Sequence, residues 1–379
     1  MERGKVRRRR LALGVLAGVA LGAFALGAVL GDGEAPKRSV ASTLPAPQLA
    51  GQRLVAGLGG DGLTPRLRAA IRQGRLAGVV LFAEDLPSRL AGRRLIASLQ
   101  RIPRPPALRA PLLVMVDQEG GEVKRVSGAP SASAAEMGER GAAYSRAQGR
   151  RTAANLRRLG VNVDLAPVLD VARPGGVIAA TARGFGATAA RVAATAVPFA
   201  EGLQAGGVAA TAKHFPGLGA AAENTDFAVQ RIGLPASELR RVDEAPYRPY
   251  IAAGGDLVML STAIYPALAP EPAAFSRAIA SGELRGRLGF RGVSISDALE
   301  TVAVRDFGGP AEAGLGAARA GTDLLLFTAP GPAEAAGRAL VAALRSGRLD
   351  RAESEAAAQR VLDLRSRLGR VPGRPAPGS

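Results

Sequence analysis

The chain reads as an α/β protein folded into a single (β/α)8 TIM-like barrel, and three observations carry that reading. From about residue 50, short β-compatible apolar runs alternate with longer amphipathic stretches. Eight such runs can be counted, the number a closed parallel barrel needs. Polar and charged residues follow several of the runs directly, and a barrel of this type collects its chemistry at the C-terminal ends of its strands. With 379 residues, 47% of them hydrophobic and 22% charged, the chain is long and apolar enough to bury a large core.

Taken in order, residues 3–10 hold six basic side chains and residues 11–30 carry no charge. That pattern predicts a signal peptide or a membrane anchor, with Ala23-Phe24-Ala25 as a cleavage site, so that the body of the protein is exported. Residues 31–49 are rich in Gly, Pro, Ala and Ser and read as a linker. The eight expected strands are 54–58, 78–82, 112–116, 163–165, 208–212, 257–260, 293–295 and 323–327. Helices are expected between them at 65–73, 88–100, 135–159, 189–204, 238–253 and 310–320. Two more, at 332–345 and 351–368, close a barrel domain spanning 50–370, and residues 371–379 read as a disordered tail.

Composition removes several classes of function. The absence of cysteine excludes disulfides, thiolate metal sites and a thiol nucleophile, and a single histidine argues against a His-cluster metal site. No metal or organic cofactor is implied. The formal charge is +18, but aromatics are only 4% and the arginines are scattered, so a nucleic-acid partner is not expected. A monomer is expected.

The one histidine lies in Lys213-His214-Phe215-Pro216-Gly217-Leu218-Gly219, which also holds one of only four lysines. In a chain whose other bases are nearly all arginine, a lysine marks a place where a compact ammonium is needed rather than a flat guanidinium. Residues 208–212 are apolar and β-compatible, and Pro216-Gly217 breaks the backbone, so Lys213 and His214 are expected at a strand's C-terminal end, opening a long loop. The third run ends in Asp117-Gln118-Glu119-Gly120-Gly121 and the seventh in Ser296-Asp297. Charged groups at three strand ends, beside glycines that admit a ligand, predict a site. Asp297 before Ala298-Leu299-Glu300 would also serve as a helix N-cap. Asp170 reads as structural.

These stretches resemble family-3 glycoside hydrolases, in the branch of bacterial β-N-acetylhexosaminidases. Residues 116–125 are similar to that family's D-x-E-G-G-x-V-x-R, residues 164–170 to its F-A-P-V-L-D strand, and Arg183-Gly184-Phe185-Gly186 to its R-S-F-G loop. Ile264-Tyr265-Pro266-Ala267-Leu268 and Gly289-Phe290-Arg291-Gly292-Val293 follow in the family's order. The resemblance implies a retaining glycosidase acting on a terminal β-linked N-acetylhexosamine, with peptidoglycan fragments as its source. In it Asp297 would be the nucleophile, and Asp117, Arg125, Arg183, Lys213 and His214 would hold the sugar.

The chain departs from the family at the proton donor. The branch runs K-H-F-P-G-H-G, four residues, then D-S-H, with the last histidine as acid/base. Here Leu218 replaces the first loop histidine and Asn224-Thr225-Asp226 replaces D-S-H. Three readings stay open: Asp226 is the acid/base, Glu223 swings in to do the work, or the domain binds cell-wall sugar without cutting it. A β-glucosidase or β-xylosidase specificity is also open.

Overall fold

The structure, a computed structural model, describes residues 39–370. Its centre is an eight-stranded parallel sheet made of β1 (Leu54–Ala56), β2 (Gly78–Val80), β3 (Leu113–Val116), β6 (Val163–Asp164), β7 (Ala209–Phe215), β8 (Leu257–Leu260), β9 (Val293–Ser296) and β10 (Leu325–Phe327). A two-stranded antiparallel ribbon, β4 (Gln118–Gly120) and β5 (Val123–Lys124), follows β3. The strands run in the order β10-β1-β2-β3-β6-β7-β8-β9. A parallel bridge from Ile295 to Leu324 closes the ring, with Ser296 N–H donating to Leu324 O and Leu324 N–H to Ser294 O, both at 2.9 Å. All eight expected strands are present in the expected order.

The two-residue alternation of a strand sorts its side chains between two cores. Val55, Leu113, Met115, Leu257, Met259 and Leu326 fill the barrel, while Ala56, Val114, Val116, Val258, Leu260 and Phe327 pack outward against the helices. The C-terminal helix Arg351–Gly369 sends Val361, Leu364 and Leu368 into the inner core. Its N-cap, Asp350, accepts from Glu353 N–H at 2.7 Å. On the same helix, buried Arg365 donates to the carbonyls of Leu108, Ala110 and Pro111 and to Gln52. Those groups precede β1 and β3, so this helix plugs the N-terminal end of the barrel and leaves the other end for chemistry.

Several boundaries differ from the sequence reading. Packing extends upstream of residue 50 into the expected linker, where Ala41, Leu44 and Leu49 are buried against Leu108, Ala358 and Leu362. The single helix expected over 135–159 is two, Ala134–Arg140 and Ala142–Arg157, separated by Gly141 at φ 86° and ψ 179°, a conformation that ends a helix. The stretch 238–253 is interrupted after the wide turn Leu239–Asp243 and resumes only at Tyr247–Ala252, with Pro246 unable to supply a helical N–H. A helical segment at Ala278–Arg287 and the β4–β5 ribbon were not foreseen. Among the described residues no helix is long and apolar enough to cross a membrane. The expected signal or anchor at 1–30 and the expected tail at 371–379 lie outside the described residues.

Candidate active site

At the C-terminal ends of the strands lies a pocket of about 270 Å³. Its walls carry Asp117, Arg125, Arg183, Lys213, His214, Asp226 and Asp297, so of the candidates singled out from the sequence for catalysis or sugar binding only Glu223 stays out of it. A larger groove of about 390 Å³ runs between helices Ala46–Gly51, Pro65–Arg72 and Pro330–Arg345, but it is mostly lined by aliphatic side chains and Glu334 is its only carboxylate. The smaller pocket holds the chemistry.

Each strand end contributes by its own local logic. Asp117 and Glu119 are two residues apart in extended chain and therefore share a face. The chain then reverses at Gly120 (φ 101°) and Gly121 (φ 58°), and a side chain at Gly120 would meet Ala132 O at 2.2 Å. Gln118 clamps the returning strand: its Oε1 accepts from Arg125 and Val126 N–H at 3.0 Å each, which fixes where Arg125 emerges. On β7, alternation from Ala209 aims Thr211 and Lys213 into the barrel. Parity alone would send His214 outward, but the pairing with β8 shifts register between Ala212 and Phe215 and His214 faces the pocket as well. The strand runs through Phe215, so both residues sit within it rather than opening a loop.

Lys213 is the electrostatic hub. Its ammonium lies 2.6 Å from Asp117 Oδ1 and 2.7 Å from Glu119 Oε1. Arg183 grips Glu119 with two parallel bonds, Nε to Oε2 at 2.8 Å and Nη2 to Oε1 at 2.7 Å. Arg125 Nη2 stands 3.9 Å from Asp117 Oδ2. Burial by itself would raise the Glu119 pKa, but Lys213 and Arg183 outweigh it and hold the carboxyl well below the usual range. Burial likewise opposes charge on Lys213, and Asp117 and Glu119 keep its ammonium more strongly protonated than usual. The cluster is therefore a fixed array of charges, with two of the lysine's three donors committed to carboxylates.

His214 Nδ1 lies 2.8 Å from Asp170 Oδ2, and Asp170 Oδ1 also accepts from the backbone N–H of His214 (3.1 Å) and of Leu218 (2.7 Å). A proton on Nδ1 leaves Nε2 as the pocket-facing acceptor. Asp170 is thus the group that orients the histidine and anchors the loop after β7.

Asp297 directly follows β9, its N–H donating to Leu260 O at 2.9 Å and its Oδ1 accepting from Ala298 N–H at 2.9 Å. It caps no helix, because the next helical segment starts at Val302 with Thr301 before it. Burial raises its pKa, His214 opposes the rise and the nearby charge of Asp226 adds to it. Asp226 sits at the mouth. Its Oδ2 accepts from Asn224 Nδ2 and its N–H donates to Asn224 Oδ1, both at 3.0 Å. Thr225 between them is buried, and its carbonyl accepts from Ala303 N–H at 3.3 Å. Asn224 also lines the pocket, whereas Glu223, exposed like Asp226, does not reach it. Glu119 was overlooked among the sequence candidates, although its two-residue spacing from Asp117 was a visible signal.

Comparison with known proteins gives a consistent picture. The Glycosyl hydrolase family 3 N terminal domain matches residues 60–364. An "Uncharacterized secreted glycosyl hydrolase" of Arthroderma benhamiae is 40% identical over 319 residues, 81% of this chain and 90% of its own. A "Beta-hexosaminidase" of Xylella fastidiosa is 36% identical over 287 residues, 73% of this chain and 83% of its own. Among solved structures, a glycoside hydrolase family 3 β-N-acetylglucosaminidase from a Paenibacillus species superposes with a TM-score of 0.82 at 34% identity, over 89% of this chain and 65% of that one. A β-N-acetylhexosaminidase from Beutenbergia cavernae gives 0.78 at 33%, over 85% and 98%.

Proposed function

The chain belongs to glycosyl hydrolase family 3, and from that premise we propose that it removes terminal β-linked N-acetylhexosamine with retention, Asp297 acting as nucleophile and Asp226 as general acid and base. As a member of the family it is a glycosidase. The observation that carries the assignment of roles is that Asp297, at the end of a barrel strand, and Asp226, at the mouth, line one pocket. A retaining glycosidase needs two carboxyl groups on one sugar site, one to attack and one to move the proton, and these are the two that the pocket offers at the end of β9 and at its mouth.

In the proposed cycle ionised Asp297 attacks the anomeric carbon while protonated Asp226 donates its proton to the departing glycosidic oxygen. A glycosyl ester on Asp297 results. Water then attacks the same carbon, its proton passes to the Asp226 carboxylate, and Asp297 leaves as it began. Asp117 and the Nε2 of His214 would accept from sugar hydroxyls, while Lys213, Arg183 and Arg125 would donate to them. Asn224 would orient Asp226. The N-acetylhexosamine specificity is supported by the relatives named β-hexosaminidase. Export is supported by the secreted relative and by the basic, then uncharged, sequence of residues 1–30. Peptidoglycan fragments are the proposed source of substrate.

The test is hydrolysis of a panel of aryl β-glycosides, headed by the N-acetylglucosaminide, by the wild type and by Asp297→Ala. Turnover of that glycoside should exceed the others and fall by at least about a thousandfold in the variant. Near-normal turnover by the variant removes Asp297 as nucleophile. Silence of the wild type across the panel, with saccharide binding retained in calorimetry, replaces the hydrolase by a sugar-binding protein.

A further inference from the structure

The residue after Asp226 is Phe227, and 77% of its surface is exposed. One exposed apolar side chain is ordinary on a protein surface; its place makes this one informative. The chain has only 10 Phe, 4 Tyr and no Trp. Among the described residues the strongly exposed large hydrophobics are Val40, Leu90, Phe227 and Val229, so two of the four stand on this loop and Phe227 is the one aromatic. The loop is a built turn. Phe227 and Ala228 N–H both donate to Asn224 O, at 3.1 and 3.2 Å, and buried Thr225 ties the turn to Ala303.

The pocket's volume of about 270 Å³ is enough for one sugar ring, so a second ring attached to it has to lie outside. A general acid protonates the oxygen that joins the two rings, which puts the second ring on the acid's side of the mouth. Asp226 is at that mouth, and the neighbouring side chain on the same turn is an aromatic ring held in water. The apolar C–H face of a pyranose is a fitting partner for such a ring.

We propose that Phe227 is the platform on which the leaving-group saccharide stacks, making the turn 224–228 carry both the proton donor and the recognition of the departing sugar. This rests on the glycosidase reading above. Phe227 is a specificity-determining residue in this scheme, and its contribution is confined to substrates whose leaving group presents a ring.

The experiment compares the full chain with Phe227→Ala and Phe227→Tyr on two substrates, methyl β-N-acetylglucosaminide and the β-1,4-linked disaccharide of N-acetylglucosamine. In Phe227→Ala, kcat/KM for the disaccharide should fall roughly five- to tenfold while that for the methyl glycoside stays within about twofold. Phe227→Tyr should restore the disaccharide value. Equal losses on both substrates, or none on either, overturn the platform while leaving the glycosidase intact. A wild type that turns over neither substrate overturns the glycosidase reading and the platform with it.

Discussion

Asp297 and Asp226 line one pocket, and the charge of Asp226 is among the causes that raise the Asp297 pKa. In the proposed mechanism the form with one proton is the active one, which gives a bell-shaped kcat/KM profile. Burial raises the Asp297 pKa, so the acid limb is expected above the roughly 3.9 of an ordinary aspartate. Asp226→Asn leaves one titrating carboxyl. Its profile should keep the acid limb and lose the alkaline one. On substrates with poor leaving groups its rate should drop by about a hundredfold or more, with far smaller losses on activated aryl glycosides. An alkaline limb that persists in the variant, or equal losses on both kinds of substrate, assigns the proton to another group.

At the scale of the element, chain reversals and register shifts do what periodicity does not show. The break at Gly141 makes two helices where the amphipathic pattern reads as one, and nothing lies within 4 Å of where a side chain would sit there. The cost of Gly141→Ala is therefore a matter of backbone conformation alone, on the order of 1–3 kcal/mol. Urea unfolding should show that loss, with kcat/KM unchanged. Unchanged stability would mean that the two helices can join without cost.

At the scale of the molecule, chemistry occupies one end of the barrel and closure the other. The closing helix brings Arg360 to Asp323, Arg365 to three backbone carbonyls and Arg367 to Asp256. Burial lifts the Asp256 pKa from 3.8 to about 6, with Arg367 opposing it in part. A carboxyl whose pKa is raised by folding binds more protons folded than unfolded between those values, so stability falls as pH rises through about 6. Relative to Asp256→Asn, the wild type should lose about 2–3 kcal/mol between pH ~4 and ~7. Unfolding of both proteins across that range measures the difference, and parallel curves would remove Asp256 as its source.

Much of this was legible in the sequence because the signals are local. A strand or helix announces itself through a period of 2.0 or 3.6 residues, and both fit inside a short window. All eight barrel strands were found that way, and charged residues at their ends marked Asp117, Lys213, His214 and Asp297. The order of the motifs supplied Arg125, Arg183 and Asp226. What the sequence could not decide is which of these groups meet. Lys213 reaches Asp117 across 96 positions, Arg183 reaches Glu119 across 64 and His214 reaches Asp170 across 44. Only closure of the barrel sets those distances. Glu223 and Asp226, three residues apart in the chain, are both exposed, and the fold brings only Asp226 to the pocket wall. Periodicity fixes the face a side chain takes on its own element, while the packing of elements decides what that face meets.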